Sequence, residues 1–255
     1  MKKILYTTAY GAILACSLQA GGLSLDVGAG AWKQKSSGDI GYYDKNTNSS
    51  GTYLSNENTT SELYAWADFK HPLFFLPNLK VEYSELTDDG SADGTFEDFN
   101  TGGLTKTASL DIKQYDITPY YNLMDKLAWM TLDVGLTAKI LDVSYRADNV
   151  NIVGVGVQNY EDSSLIAIPL VYSKFRVDIG DTGLGIEASG KYVTYDGSTV
   201  YDAEIKADYT FDFFSVANPA LEIGYRAEKF DLTDNDTTTL NMKFSGFFAG
   251  AMIRF

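Results

Sequence analysis

The sequence is poor in the residues that most catalytic and metal sites are built from. It has 255 residues, yet only one cysteine, Cys16, and one histidine, His71. A single cysteine cannot close an internal disulfide. Cys16 also falls in an N-terminal stretch with the features of a cleaved leader, so the rest of the chain is thiol-free, which suits an oxidising compartment. No Cys/His cluster exists to hold zinc. Long apolar runs are missing too. A transmembrane helix needs about 20 mostly apolar residues in succession, and the richest later stretch, 72–77, has four apolar residues between Pro72 and Pro77. A helical membrane protein is therefore excluded. Basic charge is scarce: 20 Lys and Arg stand against 34 Asp and Glu, a net charge of −14. Without Lys2 and Lys3 the balance is 18 to 34, or −16. Such a field repels nucleic acid, which is not an expected partner.

What is present begins with the leader. Met1-Lys2-Lys3 is a positively charged start, residues 4–18 are mostly apolar, and Ala20 offers a small residue at a cleavage point. Residues 1–20 are read as a signal peptide and 21–255 as one domain. Ile13-Leu14-Ala15-Cys16 also has the form of a lipoprotein box, with Cys16 as the lipidated residue; that alternative stays open. Either way the chain leaves the cytoplasm.

Beyond the leader the dominant pattern is alternation with a period of two, which is the signature of strands with one apolar face. Tyr201, Ala203, Ile205, Ala207, Tyr209 and Phe211 alternate with Asp202, Glu204, Lys206, Asp208, Thr210 and Asp212. Ten segments read this way: 23–33, 61–71, 78–87, 108–121, 128–146, 164–178, 183–195, 200–213, 220–230 and 239–255. Most are about twice the ordinary soluble strand length and long enough to cross a bilayer at a tilt. The gaps after 33, 87 and 146 are long and polar, and those between them are short. Long outer loops alternating with short inner turns are expected of a transmembrane barrel. Aromatics bunch near segment ends: Phe69, Phe74, Phe75, Tyr120, Tyr121, Trp129, Phe211 and Phe213 at one end, Tyr83, Tyr192, Tyr195, Tyr201 and Phe230 at the other. Two interfacial belts are implied.

Three segments break parity. Ile112 and Tyr115 disagree in the fourth; Ile166, Ile168 and Leu170 share parity with Lys174 and Arg176 in the sixth; Leu240, Met242 and Phe244 oppose Phe247, Ile253 and Phe255 in the last. A one-residue bulge in each and apolar side chains in the lumen account for this equally well. Elsewhere parity puts Asp26, Asp68, Lys70, Lys80, Glu82, Asp133, Lys139, Glu187, Lys191, Asp202, Glu204, Lys206, Asp208, Glu222, Arg226 and Glu228 inside. Charges in a narrow barrel must pair or stay wet. A four-residue loop over 196–199 would set Lys191 opposite Glu204, Lys206 opposite Ser189 and Glu187 opposite Asp208. Such a network either plugs the barrel or lines a thin cation-leaning pore.

The chain ends Gly250-Ala251-Met252-Ile253-Arg254-Phe255. A terminal Phe, with Ile253 two before it and Gly250 five before it, resembles the C-terminal signal of Gram-negative outer-membrane barrels, although Phe248 stands where that pattern has a polar residue. With the leader and the alternating segments, the chain resembles the small, mostly uncharacterised outer-membrane barrel families. The resemblance implies an all-β, antiparallel up-and-down transmembrane barrel of ten strands, or eight if two segments are not strands. It also implies the outer membrane as location, recognition of Gly250, Ile253 and Phe255 by the barrel-assembly machinery, and lipid and lipopolysaccharide as partners. Enzymes of this architecture set tests. Outer-membrane phospholipases and palmitoyltransferases need a His with a Ser, and omptin-type proteases need Asp residues and a His at the outer rim. His71 precedes Pro72 at an inner turn, the wrong end for either. The acidic loops at 88–94 and 231–236 lack EF-hand spacing. No catalysis, cofactor or metal is expected; the expected role is structural or surface-interacting, with a narrow, weakly cation-selective channel for small solutes as the alternative and an outer-membrane enzyme as a distant third. Oligomeric state is not legible.

Overall fold

Alternating residues with β-branched and aromatic side chains on one face favour extended backbone, and the chain is built of little else. The computed structural model describes residues 22–124, 129–214, 217–234 and 237–255; the expected leader lies outside them. Twelve strands occur among the described residues: β1 (Ser24–Asp44), β2 (Ser49–Ser55), β3 (Thr59–Lys70), β4 (Asn78–Gly94), β5 (Phe99–Asn100), β6 (Lys106–Asn122), β7 (Met130–Ile152), β8 (Gly156–Asp178), β9 (Leu184–Tyr195), β10 (Ser198–Thr210), β11 (Asn218–Asp234) and β12 (Thr238–Arg254). Ten of them, all but β2 and β5, form a ring in which each pairs antiparallel with its neighbours. The ring closes where β12 pairs with β1 from Asp26↔Arg254 to Tyr42↔Thr238. Closure satisfies the backbone groups that an open edge would leave bare in lipid. The ten expected segments are these ten strands.

The outer side of the ring is an apolar belt. Val81, Ile117, Leu136, Val171, Ile186, Ile205, Ile223 and Phe247 all stand 42% or more exposed. Continuous apolar exposure on this scale is tolerated by a lipid environment and not by water.

The structure decides four points, three of them corrections and one a choice the sequence left open. First, the long polar gaps are not loose loops. β1 continues to Asp44 and returns as β2, and β7 and β8 continue to a turn over 153–155. These hairpins stand beyond the belt, where the outer face is mostly polar and only scattered apolar residues such as Leu54, Val157 and Leu165 stay exposed, so the period-two signal weakens while the ladders continue. Second, β9 and β10 meet through a two-residue turn. Asp196 and Gly197 both have positive φ, 47° and 81°, as a type I′ hairpin requires. Lys191 therefore faces Asp202, Lys206 faces Glu187 and Glu204 faces Ser189. Third, of the two open accounts of the parity breaks the lumen one holds: β6, β8 and β12 keep register through them, and the apolar residues point inward. Fourth, Tyr120 and Phe230 are not belt residues. Both lie on inward parity and are fully buried.

The wall has two thin places. β3 and β4 pair only from Tyr64 to Phe69; above that, Gln34 of β1 reaches over and donates to the Glu85 carbonyl at 2.8 Å. β8 and β9 pair only over Val171–Asp178 on β8, next to Pro169, which has no N–H to give.

Candidate functional site

All sixteen charged residues expected inside do face the lumen, and they are arranged in tiers. The inner mouth carries Asp26 and Lys70 around a cavity of about 170 Å³ that Asp68, Lys174, Arg176 and Arg254 also line. Asp26 lies 3.8 Å from Arg254. Arg254 Nη2 reaches Asp208 at 2.9 Å, and Arg176 holds the same carboxylate with two nitrogens. Lys174 bridges Asp133 at 2.8 Å and Asp68 at 3.3 Å, and the Tyr120 hydroxyl donates to Asp68.

The middle tier is denser. Lys206 meets Glu222 at 3.1 Å and Glu187 at 3.5 Å; Glu204 is only 3.9 Å from the same ammonium. Lys80 pairs with Glu82 at 2.9 Å, and Lys191 bridges Glu82 and Asp116, each at 2.6 Å. Lys139 touches Glu228 at 2.6 Å and Asp116 at 3.1 Å. Arg226 forks onto both oxygens of Asp202 at 2.8 and 2.6 Å, the bidentate geometry for which a planar guanidinium is suited. Tyr64 and Trp66 both donate to Glu222, at 2.8 and 3.0 Å. Their bulk fits because the facing positions are glycine: a Cβ on Gly250 would lie 2.3 Å from the Tyr64 hydroxyl, and one on Gly28 would lie 2.6 Å from the Trp66 ring. Gly250 thus has a role inside the barrel. Ile253 faces outward, and the Phe255 N–H donates to the Leu25 carbonyl at 3.0 Å, extending the closing seam.

Above the charges the lumen changes character. Leu86, Leu110, Ile112, Leu141, Leu170, Phe230, Met242 and Phe244 are all at most 2% exposed and pack as one apolar cluster. Ile112, Leu170, Met242 and Phe244, from the segments that break parity in the sequence, belong to this plug, and Leu86, Leu141 and Phe230 join them from segments where no break was read. The cluster continues outward through Tyr53, Ala92, Phe99, Ala147 and Val150, so the protruding hairpins share one core with the barrel. Phe96 and Phe99 stack at 4.6 Å, and Tyr53 meets Tyr145 edge-on at 5.8 Å. At the rim the buried Asp88 carboxylate accepts hydrogen bonds from Tyr53, Ser36 and Ser55. Beside it Lys35 bonds Glu57 at 2.8 Å and holds that carboxyl below its ordinary range.

Sequence reasoning missed Gln114, Asp116, Lys174, Arg176 and Arg254. Parity alone would have found most of them had the breaks in β6 and β8 been read without bulges. Among the described residues, no group of three or more His, Cys, Asp or Glu is placed to hold a metal.

No family model and no curated protein matches the chain. Solved structures do. The outer membrane protease OmpT from Escherichia coli is 10% identical, with a TM-score of 0.50 over 91% of this chain and 96% of that one. A Pseudomonas aeruginosa FadL homologue is 9% identical over 91% and 89%, with a TM-score of 0.23. Pseudomonas aeruginosa OccK5 (OpdH) is 11% identical over 91% and 98%, also at 0.23. At this identity the likeness to OmpT shows the fold alone, that of an outer-membrane β-barrel. It also corrects one expectation. A barrel of similar shape is a protease, so the architecture gives no ground for excluding an enzyme, and the argument from His71 reaches only His-dependent chemistry.

Proposed function

We propose that this chain is exported and resides in the outer membrane as a sealed barrel whose working part is its rigid outer cap, in a structural or surface-interaction role. One observation carries the reading: a buried, packed apolar plug lies directly above a network of paired charges. Ions cross a narrow barrel through water, and a packed apolar layer excludes it. The cap supports the same reading, because hairpins that share a core with the barrel present a fixed surface rather than mobile loops. The expected result is a silent planar bilayer after insertion of the purified, refolded protein. Stable cation-selective steps would overturn the proposal in favour of a narrow channel.

A further inference from the structure

The outward face just beyond the apolar belt is divided by charge. On β4, β6 and β7 it carries Glu85, Asp89, Asp111 and Asp142 with Lys113. On β11, β12 and β1 it carries Lys229, Lys243, Lys33 and Lys35 with Asp231 and Asp39, in a chain where acids outnumber bases. The registers draw the four lysines together. Lys229 lies directly opposite Lys243, and Lys243 opposite Ser37, one dyad from Lys35. Residues directly opposite are about 5 Å apart at Cβ, and like charges there destabilise a sheet. Asp231 at 2.8 Å relieves Lys229, and Glu57 at 2.8 Å relieves Lys35. Lys33 and Lys243 are exposed and have no acidic partner among the described residues. Below them the face turns apolar at once: Lys33 pairs with Phe247, and Phe247 meets Tyr225 edge-on at 5.1 Å.

We infer that Lys33, Lys35, Lys229 and Lys243 bind the phosphates of a phosphorylated glycolipid of the outer leaflet, lipid A, with its acyl chains against the Phe247–Tyr225 face. The charge is complementary, and the lysines stand where the belt meets the headgroup level. A site for anions also explains a directly opposed lysine pair that the fold itself does not need. The inference rests on the outer-membrane reading of the barrel but not on its being sealed: a conducting barrel that still bound lipid A would sink the first proposal and leave this one standing.

The test titrates diphosphorylated lipid A, its fully dephosphorylated counterpart and phosphatidylglycerol into the detergent-solubilised full barrel, with binding read by native mass spectrometry. The wild type should prefer the diphosphorylated form. Replacing all four lysines by Gln should weaken that binding by about tenfold or more, given the contribution of each basic residue near an anionic surface. The fourfold Lys→Arg variant should keep it, and Lys113→Gln on the opposite side should leave it unchanged. Heat-modifiable gel mobility verifies that each variant is folded. Equal binding of the phosphorylated and dephosphorylated forms, equal binding of phosphatidylglycerol, or an equal loss with Lys113→Gln would each overturn the assignment.

Discussion

Lys139 Nζ lies 2.6 Å from Glu228 Oε1, and neither side chain has any exposure to solvent. The same ammonium serves Asp116 at 3.1 Å and Asp202 at 3.4 Å, and it donates to Gln114 at 2.8 Å. Removing the cation leaves several carboxylates facing one another in a dry place. Lys139→Met should cost about 3–5 kcal/mol in urea unfolding from liposomes. Adding Glu228→Gln should recover part of that loss. A single variant as stable as wild type would mean that the tier is wet enough to screen itself.

In the proposed sealed barrel the plug and the charged tiers act in series. Phe244 is fully buried in the plug, and Phe244→Ala should cost about 3–5 kcal/mol. It should not open a conducting path, because the network from Lys139 to Arg176 still fills the section below. Conductance from this single variant would show that the plug alone is the seal.

Asp88 ties the upper part of β1 to β2 through Ser36, Ser55 and Tyr53. Bonds to a charged acceptor contribute about 1.5–3 kcal/mol each, and these act on the cap. Asp88→Ala should expose the β2 segment to protease while the barrel keeps its heat-modifiable mobility. Loss of the folded band would place Asp88 in the stability of the whole barrel.

Ile205 is 55% exposed on the belt, and Tyr201 lies on the same face nearer the cap. The cost of arginine on a lipid face depends on depth: about 2–4 kcal/mol at the midplane and about 0–1 near the interface. Ile205→Arg should therefore impair folding into liposomes strongly, and Tyr201→Arg only slightly. A reversed order would place the bilayer elsewhere on the barrel. The inward neighbour Lys206 is no mild control. It holds Glu222 and Glu187, so Lys206→Gln should also be costly, and equally so in any lipid.

Much of this was legible without a structure. Alternation in stretches such as 201–212 is a local property, because successive side chains of a strand must point to opposite faces whatever the neighbours are. From it came the ten strands, the barrel, and the inward place of all sixteen charged residues from Asp26 to Glu228. Three things were decided by tertiary structure. The φ > 0 pair Asp196-Gly197 set a register two residues from the one expected, and with it which charges meet. Leu110, Leu170 and Phe244 proved to be lumen residues, since parity says which face a side chain takes and not whether that face is wet or dry. The partners of Lys139 come from β6, β10 and β11, and the four outer lysines from β11, β12 and β1. Such meetings depend on every register around the closed ring, a sum over pairings far apart in the chain that no single segment encodes.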